Sequence, residues 1–130
     1  MRLVKIFHGI LASGFLVACI PELSYEQNDC EVFTDLGVVR TNPAGAIERN
    51  LEVEVALRLC PPKEGVLEAT RKRIELKHQL LLLLSSKTEN ELLDPLRVEK
   101  LQQEFFELAN ENVFKKSKAV EVFITTFELK

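Results

Sequence analysis

The sequence predicts an α+β domain in which a small sheet, in the order β-β-α-α-β, packs against two long helices. Three observations support this fold class. Apolar residues alternate over residues 51–59, they recur at helical spacing after Lys63, and residues 119–129 are rich in β-branched and aromatic side chains. A chain of 130 residues holds at most one such domain, here preceded by a short N-terminal segment.

Two strands are predicted on either side of a stretch rich in turn residues. The first is "EVFTDLGVV" (31–39), and the second is "LEVEVALRL" (51–59), which has Leu or Val at every odd position. Between them lies "TNPAGA" (41–46), whose Asn, Pro and Gly favour a turn. Pro61 and Pro62 end the second strand, because proline cannot donate a hydrogen bond to a ladder.

A long helix is predicted from Lys63 to the end of the leucine run at residues 80–84. We assign one stripe of it to the core: Leu67, Thr70, Ile74, Leu81 and Leu84. Leu76, Leu80 and Leu83 lie on the opposite side, where burying each side chain is worth roughly 1.5–3 kcal/mol. These three leucines are therefore predicted to form a self-association surface, unless the second helix or the last strand covers them within one subunit.

Residues 85–95, "SSKTENELLDP", interrupt the helical pattern and contain two helix starts. Thr88 and Glu91 have the spacing of a capping box. Asp94 followed by proline is typical of the N-cap and first position of a helix, and this second long helix is predicted to end near Asn112. Its core face consists of Val98, Leu101, Phe105, Leu108 and Asn112.

The N-terminal segment reads as a targeting signal. A positively charged beginning is followed by an apolar run over residues 6–18, which is shorter than the ~20 residues that span a bilayer. The run ends in "LVAC", the pattern of a bacterial lipoprotein signal. We predict a signal peptide over residues 1–18, lipidation of Cys19 and a lipid-anchored tether over residues 19–29. An uncleaved N-terminal membrane helix is the alternative, and both export the rest of the chain.

Export changes the interpretation of the two remaining cysteines. Cys30 and Cys60 are an even number in a compartment that favours disulfides. Their positions average to Gly45 in the predicted turn, so a hairpin centred there places them opposite each other. We predict a disulfide between them. The alternative is that both are small buried hydrophobes, because a register shift of one residue would separate them.

The chain carries little that indicates catalysis, and we predict that it is not an enzyme. No His, Cys and carboxylate cluster has metal-ligand spacing, no cofactor motif is present, and His78 stands alone in the mature chain. The net charge of −3 excludes the basic field that nucleic-acid binding requires. The cationic run at residues 71–73 is interpreted as a solvated face, with contact to lipid headgroups as the alternative.

The second half of the chain resembles a known family. The residues that carry the resemblance are "LLLLSSKTENELLDPLRVEKLQQEFFELAN" (81–110) and the terminal "VEVFITTFELK" (120–130). With the alternating strand at 51–59, these resemble the flagellar basal body-associated FliL family over roughly residues 31–130.

The resemblance implies a periplasmic domain over residues 30–130 with a stomatin-like (SPFH) fold that assembles into homo-oligomeric rings. It implies a non-enzymatic accessory protein of the flagellar motor, near its stator, that supports motility and chemotaxis and needs no cofactor. Family members have a transmembrane helix in the inner membrane, whereas this chain has a lipoprotein signal in which Ile20 permits transfer to the outer membrane.

Two further hypotheses compete with the flagellar one. The first is a general cell-envelope scaffold lipoprotein with no flagellar role. The second is a periplasmic thiol or hydrolytic enzyme, which requires a base close to Cys30 or Cys60 in the fold.

Overall fold

The computed structural model describes residues 29–130, so the predicted signal peptide, Cys19 and nearly all of the tether lie outside the described residues. Within residues 29–130 the elements are β1 (Glu31–Phe33), β2 (Val38–Thr41), β3 (Leu51–Cys60), α1 (Pro62–Arg71), α2 (Arg73–Ser85), α3 (Glu89–Leu92), α4 (Arg97–Asn112) and β4 (Lys118–Leu129). The α+β class with a small antiparallel sheet is confirmed. The likeness of this arrangement to the stomatin fold stays a prediction.

β3 is the central strand of the sheet. β4 pairs antiparallel with β3 along its whole length. β1 and β2 pair antiparallel with opposite halves of β3, and since a strand has two edges they lie end to end along the remaining one. The odd-numbered residues of β3 are buried in one core with α1, α2 and α4. The other face of β3 carries exposed ion pairs such as Arg58–Glu121, at 3.1 Å, so the helices cover only one face of the sheet.

The single strand predicted over residues 31–39 is instead two short strands. β1 pairs with residues 57–59 of β3 and β2 pairs with residues 51–54, and the two registers differ by two residues. The connection between β1 and β2 therefore contains two more residues than one continuous strand would have at that place. Gly37 in this connection has a φ of +87°, which glycine adopts without steric cost. The turn places the side chain of Leu36 in the core, where it is completely buried.

The long helix predicted after Lys63 is interrupted at Lys72, and its buried face is the opposite of the predicted one. Leu76 and Leu80 are buried in the core and Leu83 is half-buried against it. The placement of these three leucines on an outer, self-associating surface is therefore wrong. Of the stripe assigned to the core, only Leu84 is buried.

The packing of α1 explains this reversal. Gly65, Glu68 and Ala69 are its buried residues, and a Cβ added to Gly65 would lie only 2.6 Å from the Cβ of Leu59 on β3. Such close approach requires the small face of α1 to turn inward. The leucine run of α2 is apolar on several sides, so its orientation follows the one that α1 sets.

The segment between the long helices forms as predicted at α3 and differs slightly at α4. The Thr88 hydroxyl accepts a hydrogen bond from the backbone N–H of Glu91, whose carboxylate accepts one from the N–H of Thr88, which completes the capping box. α4 begins two residues later than predicted. The cause is the Asp94 carboxylate, which accepts from the N–H of Leu96 at 2.7 Å and keeps the intervening proline in a turn.

α4 packs against β4 and α2 through a face that is close to the predicted one. Leu101 and Phe105 are buried as predicted, and Ala109 is the third buried residue. Leu108 is half-buried and Asn112 is exposed. The reason is that the buried residues of α4, Leu101, Phe105 and Ala109, are spaced four residues apart, so Ala109 and not Leu108 faces the core.

Candidate functional site

Cys30 and Cys60 form a disulfide at one corner of the domain, with their Cα atoms 4.4 Å apart. The pairing of β1 with β3 accounts for this placement, since Glu31 lies opposite Leu59 in the same register. Cys60 ends β3, two residues before α1 begins. The bond thus fastens the entry of the chain into the domain to the start of α1. Because both sulfurs are bonded, neither residue supplies the thiolate that a thiol enzyme requires.

Glu68 on α1 is a charged side chain that is only 1% exposed. Its carboxylate accepts hydrogen bonds from the backbone N–H groups of residues 115–117 at 2.8–3.3 Å. It also accepts from the Ser117 hydroxyl at 2.6 Å and from Lys72 Nζ at 2.9 Å. The carboxylate therefore ties the loop between α4 and β4 to α1.

The protonation state of Glu68 follows from these contacts. Burial raises the pKa of Glu68, but the hydrogen bonds from Ser117, Lys115 and Lys72 outweigh that effect and lower the pKa to about 2. A general acid or base works best with a pKa near the operating pH. Glu68 is therefore ionised at neutral pH and acts as a structural anchor. Sequence reasoning missed it, and the only signal was its position between Gly65 and Ala69.

The outer face of α1 and α2, turned away from the sheet, carries large exposed apolar side chains between charged ones. Leu67, Ile74 and Leu82 are 56%, 80% and 51% exposed, and Leu81 is 38% exposed. Beside it a shallow groove separates α2 from β2 and contains His78 together with Ile74 and Leu81. Leu67, Ile74 and Leu81 belong to the stripe that the sequence assigned to the core.

The three cations at residues 71–73 have different roles. Arg71 is exposed on the outer face. Lys72 points the other way and binds Glu68. The Arg73 guanidinium donates a hydrogen bond to the backbone carbonyl of Asp35, in the connection between β1 and β2. The interpretation of the whole run as a solvated face is correct for Arg71 and wrong for Lys72.

A cavity of about 280 Å³ lies between α3 and α4. Its charged side chains include the ion pairs Lys87–Glu104 and Lys100–Asp94, each at 2.9 Å. Hydrogen bonding to Lys100 lowers the pKa of Asp94, and the same contact raises the pKa of Lys100. Both groups therefore remain charged and satisfied by each other, which does not favour acid–base chemistry in this cavity.

Within residues 29–130, no group of three or more His, Cys, Asp or Glu side chains is placed to hold a metal ion. None of the helices described for these residues is both long enough and apolar enough to cross a bilayer.

Comparison with known proteins assigns the domain to a family. No curated protein matched the chain. The family model described as "Flagellar basal body-associated protein FliL" matches residues 33–129. The match extends from the end of β1 through β4 and covers about three quarters of the chain, which confirms the resemblance seen in the sequence. The chain belongs to the FliL family of flagellar basal body-associated proteins.

Proposed function

We propose that this protein is a non-enzymatic accessory component of the flagellar motor that supports flagellum-dependent motility and chemotaxis. The observation that carries the proposal is the family match over residues 33–129. The contacts of the reactive side chains agree with a structural role. Cys30 and Cys60 are bonded to each other, and the buried carboxylate of Glu68 is ionised and accepts several hydrogen bonds.

On this proposal the protein acts in the cell envelope. A lipid on Cys19 anchors it, and the domain over residues 30–130 faces the periplasm. The Cys30–Cys60 disulfide supports export, because disulfides persist in oxidising compartments and are rare in the cytosol. Mass spectrometry of the membrane-bound protein is expected to find a modified cysteine as its first residue, and an intact Met1 contradicts the lipid anchor.

The proposal includes assembly of the domain into a homo-oligomeric ring near the stator, which rests on the resemblance to the family. The burial of Leu76 and Leu80 means that any contact between copies uses other residues. Crosslinking of the protein in intact cells, followed by sizing of the products, is expected to give a ladder of oligomers. A product that stays monomeric at native abundance contradicts assembly.

The decisive experiment is genetic. Deletion of the gene is expected to reduce the swimming radius in soft agar at an unchanged growth rate, and a plasmid copy is expected to restore it. Fractionation of wild-type and aflagellate cells tests the location in parallel, since a motor component should sediment with basal bodies in the first and should be missing from that fraction in the second. A deletion strain that swims like its parent favours the alternative of a general envelope scaffold.

A further inference from the structure

The sheet has an unpaired edge on each side of β3, and the two edges lie at the same level. β2 pairs with residues 51–54 of β3 on one side, and residues 126–129 of β4 pair with the same four residues on the other side. Within residues 29–130, neither β2 nor β4 pairs with a strand other than β3. An unpaired edge presents backbone N–H and C=O groups to which a further strand can bind.

The outward groups of β4 follow from the alternation of an antiparallel ladder. Asn50 and Lys130 exchange both of their backbone hydrogen bonds, at 3.0 and 2.8 Å. Counting back from this pair, Phe127 and Leu129 direct their N–H and C=O groups away from β3. In the part of the chain that the structure describes, no other group bonds to these outward groups.

The earlier part of the β4 edge is already occupied by side chains of α4. The side-chain amide of Asn110 donates to the carbonyl of Ala119 at 2.8 Å and accepts from its N–H at 2.9 Å. Gln102 Oε1 accepts from the N–H of Ile124 at 3.0 Å. These side chains take places that the backbone of a neighbouring strand would fill, so a further strand is directed to the last residues of β4.

β2 presents outward groups of the same kind. Residues 52 and 54 of β3 bond to β4, so residues 51 and 53 direct their backbone groups to β2. Val38 and Arg40 lie opposite residues 54 and 52, and they therefore direct their own N–H and C=O groups away from the sheet. Among the described residues, no hydrogen bond to these outward groups is found either.

The two edges match each other in register. A second copy displaced sideways across the sheet brings its β2 parallel to β4, because both strands run antiparallel to β3. Val39 of that copy is then level with Phe127, since both residues lie opposite Val53. In this register Phe127 can donate to the carbonyl of Val38 and accept from the N–H of Arg40.

A row of charges on the face of the sheet away from the helices favours a second copy as the occupant. Arg40 lies opposite Glu52 and pairs with it at 3.0 Å. Glu52 also lies opposite Glu128, and Lys130 Nζ is 3.6 Å from each carboxylate. Adjacent like charges are unfavourable. In the register above, Arg40 of the second copy lies beside Glu128 and supplies it with an opposite charge.

Apolar side chains flank both edges on the helix side of the sheet. Beside β2, Ile74 and Leu81 of α2 line a groove and are 80% and 38% exposed. Beside the end of β4, Leu93 lines a groove with Phe127 and Leu129 and is 58% exposed. Because the helices cover one face of the sheet, sideways pairing brings these two flanks towards each other, where their burial favours association.

We infer that copies of this chain join edge to edge, with β2 of one copy parallel to residues 126–129 of the next. The inference rests on the homo-oligomer in the proposed function and names its interface. The contact uses two different surfaces, so each copy keeps an open edge for another, and the assembly closes into a ring where the rotation between copies permits. A two-fold contact would instead use one edge twice and stop at a dimer.

Charge reversal tests the register. Arg40→Glu and Glu128→Arg each place like charges side by side at the contact, and each should weaken association of the full-length protein in detergent by about fivefold, which corresponds to ~1 kcal/mol. An equimolar mixture of the two variants should recover the association, because position 128 of each then meets an opposite charge at position 40 of the other. Arg71→Glu and Glu75→Arg, at exposed positions of α1 and α2, are the controls and should change nothing.

A proline tests the backbone contact. Arg40→Pro removes an N–H that the subunit does not use for its own ladder, and an edge strand tolerates proline at such a position. We expect a folded protein by circular dichroism that no longer associates in sedimentation velocity. Val32→Pro removes the corresponding outward N–H from β1, outside the proposed contact, and should associate like the parent.

Two results overturn the inference while ring assembly stands. One is unchanged association of Arg40→Pro, and the other is a mixture of the charge variants that associates no better than either alone. A natural protein that is monomeric at every concentration contradicts both the assembly and this interface. The flagellar role is judged by swimming and not by association, so its failure leaves these outcomes unchanged.

Discussion

Replacement of Glu68 tests how the domain holds its last strand in place. Glu68→Gln keeps the size of the side chain but removes its charge. In the natural protein the N–H of Lys115 and Nζ of Lys72 both donate to a carboxylate oxygen of Glu68. The glutamine amide N–H₂ is itself a donor, so it cannot accept from all of these groups. Buried donors that lose their acceptor cost free energy. The loop between α4 and β4 should therefore detach from α1 more easily.

The magnitude follows from the pKa of Glu68, which is about 2 in the folded protein against an ordinary value of 4.5. A difference of this size between folded and unfolded states corresponds to about 3 kcal/mol of folding free energy. Because the folded pKa is the lower one, this contribution is fully present above pH 4.5 and is lost as the pH falls towards 2. Glu68→Gln should therefore cost about 3 kcal/mol at pH 7 and progressively less below pH 4.

The assay is urea unfolding of both proteins between pH 7 and pH 2.5, followed by circular dichroism. The carboxyls of Glu52, Glu91 and Asp94 also have lowered pKa values, but they are present in both proteins and cancel in the difference. Glu75→Gln, at an exposed position on α2, is the control and should stay within about 0.5 kcal/mol of the parent. A loss for Glu68→Gln that is equal at pH 7 and pH 2.5 would refute the electrostatic account.

Three further predictions concern packing and covalent structure. Alkylation without reductant should leave Cys30 and Cys60 unlabelled, and reduction should lower the unfolding free energy by about 3–4 kcal/mol for a loop of this length; two freely labelled thiols in periplasmic material contradict the bond. In urea titrations, Leu80→Ala should lower the free energy of unfolding by about 2–5 kcal/mol, and Leu81→Ala should lower it by less than about 0.5 kcal/mol. The reverse order would show that the opposite face of α2 is buried. Gly65→Ala should lower the melting temperature, although alanine favours a helix over glycine by ~1 kcal/mol. The added methyl group would lie 2.6 Å from the Cβ of Leu59 on β3 and would push α1 away from the sheet. A rise in melting temperature would contradict that contact.

The elements that the sequence predicted well are those in which one pattern dominates. β3 has Leu or Val at every odd position, and all five of these residues are buried, so its assignment needed no tertiary information. α3 begins with a capping box that involves only local contacts, between Thr88 and Glu91. The pairing of Cys30 with Cys60 could be predicted because a turn centre and a hairpin register determine which positions face each other. The first strand was less predictable, since its division depends on how Leu36 reaches the core.

The Glu68 site could not be predicted, for a physical reason. A glutamate on a helix is usually solvated, and its burial is tolerated here only because the N–H groups of residues 115–117 converge on it. Those groups are 47–49 residues away in the sequence, and nothing in their side chains except the Ser117 hydroxyl indicates that they donate to a carboxylate. Local patterns therefore gave no signal for this contact.

The reversal of the leucine stripes shows what a helical pattern leaves undetermined. A helix that carries leucine on several sides satisfies a core with either face, so counting large apolar residues favoured Leu67, Ile74 and Leu81. The sheet instead selects the face on which α1 has Gly65 and Ala69, because only small residues permit the close approach to β3. α2 continues α1 with a break only at Lys72, so its inward face follows. The stripe of Leu67, Ile74 and Leu81 is then excluded from the core by geometry, not by polarity, and it remains exposed. Contiguous exposed apolar surface of this kind is a feature of interaction sites more often than scattered apolar residues are.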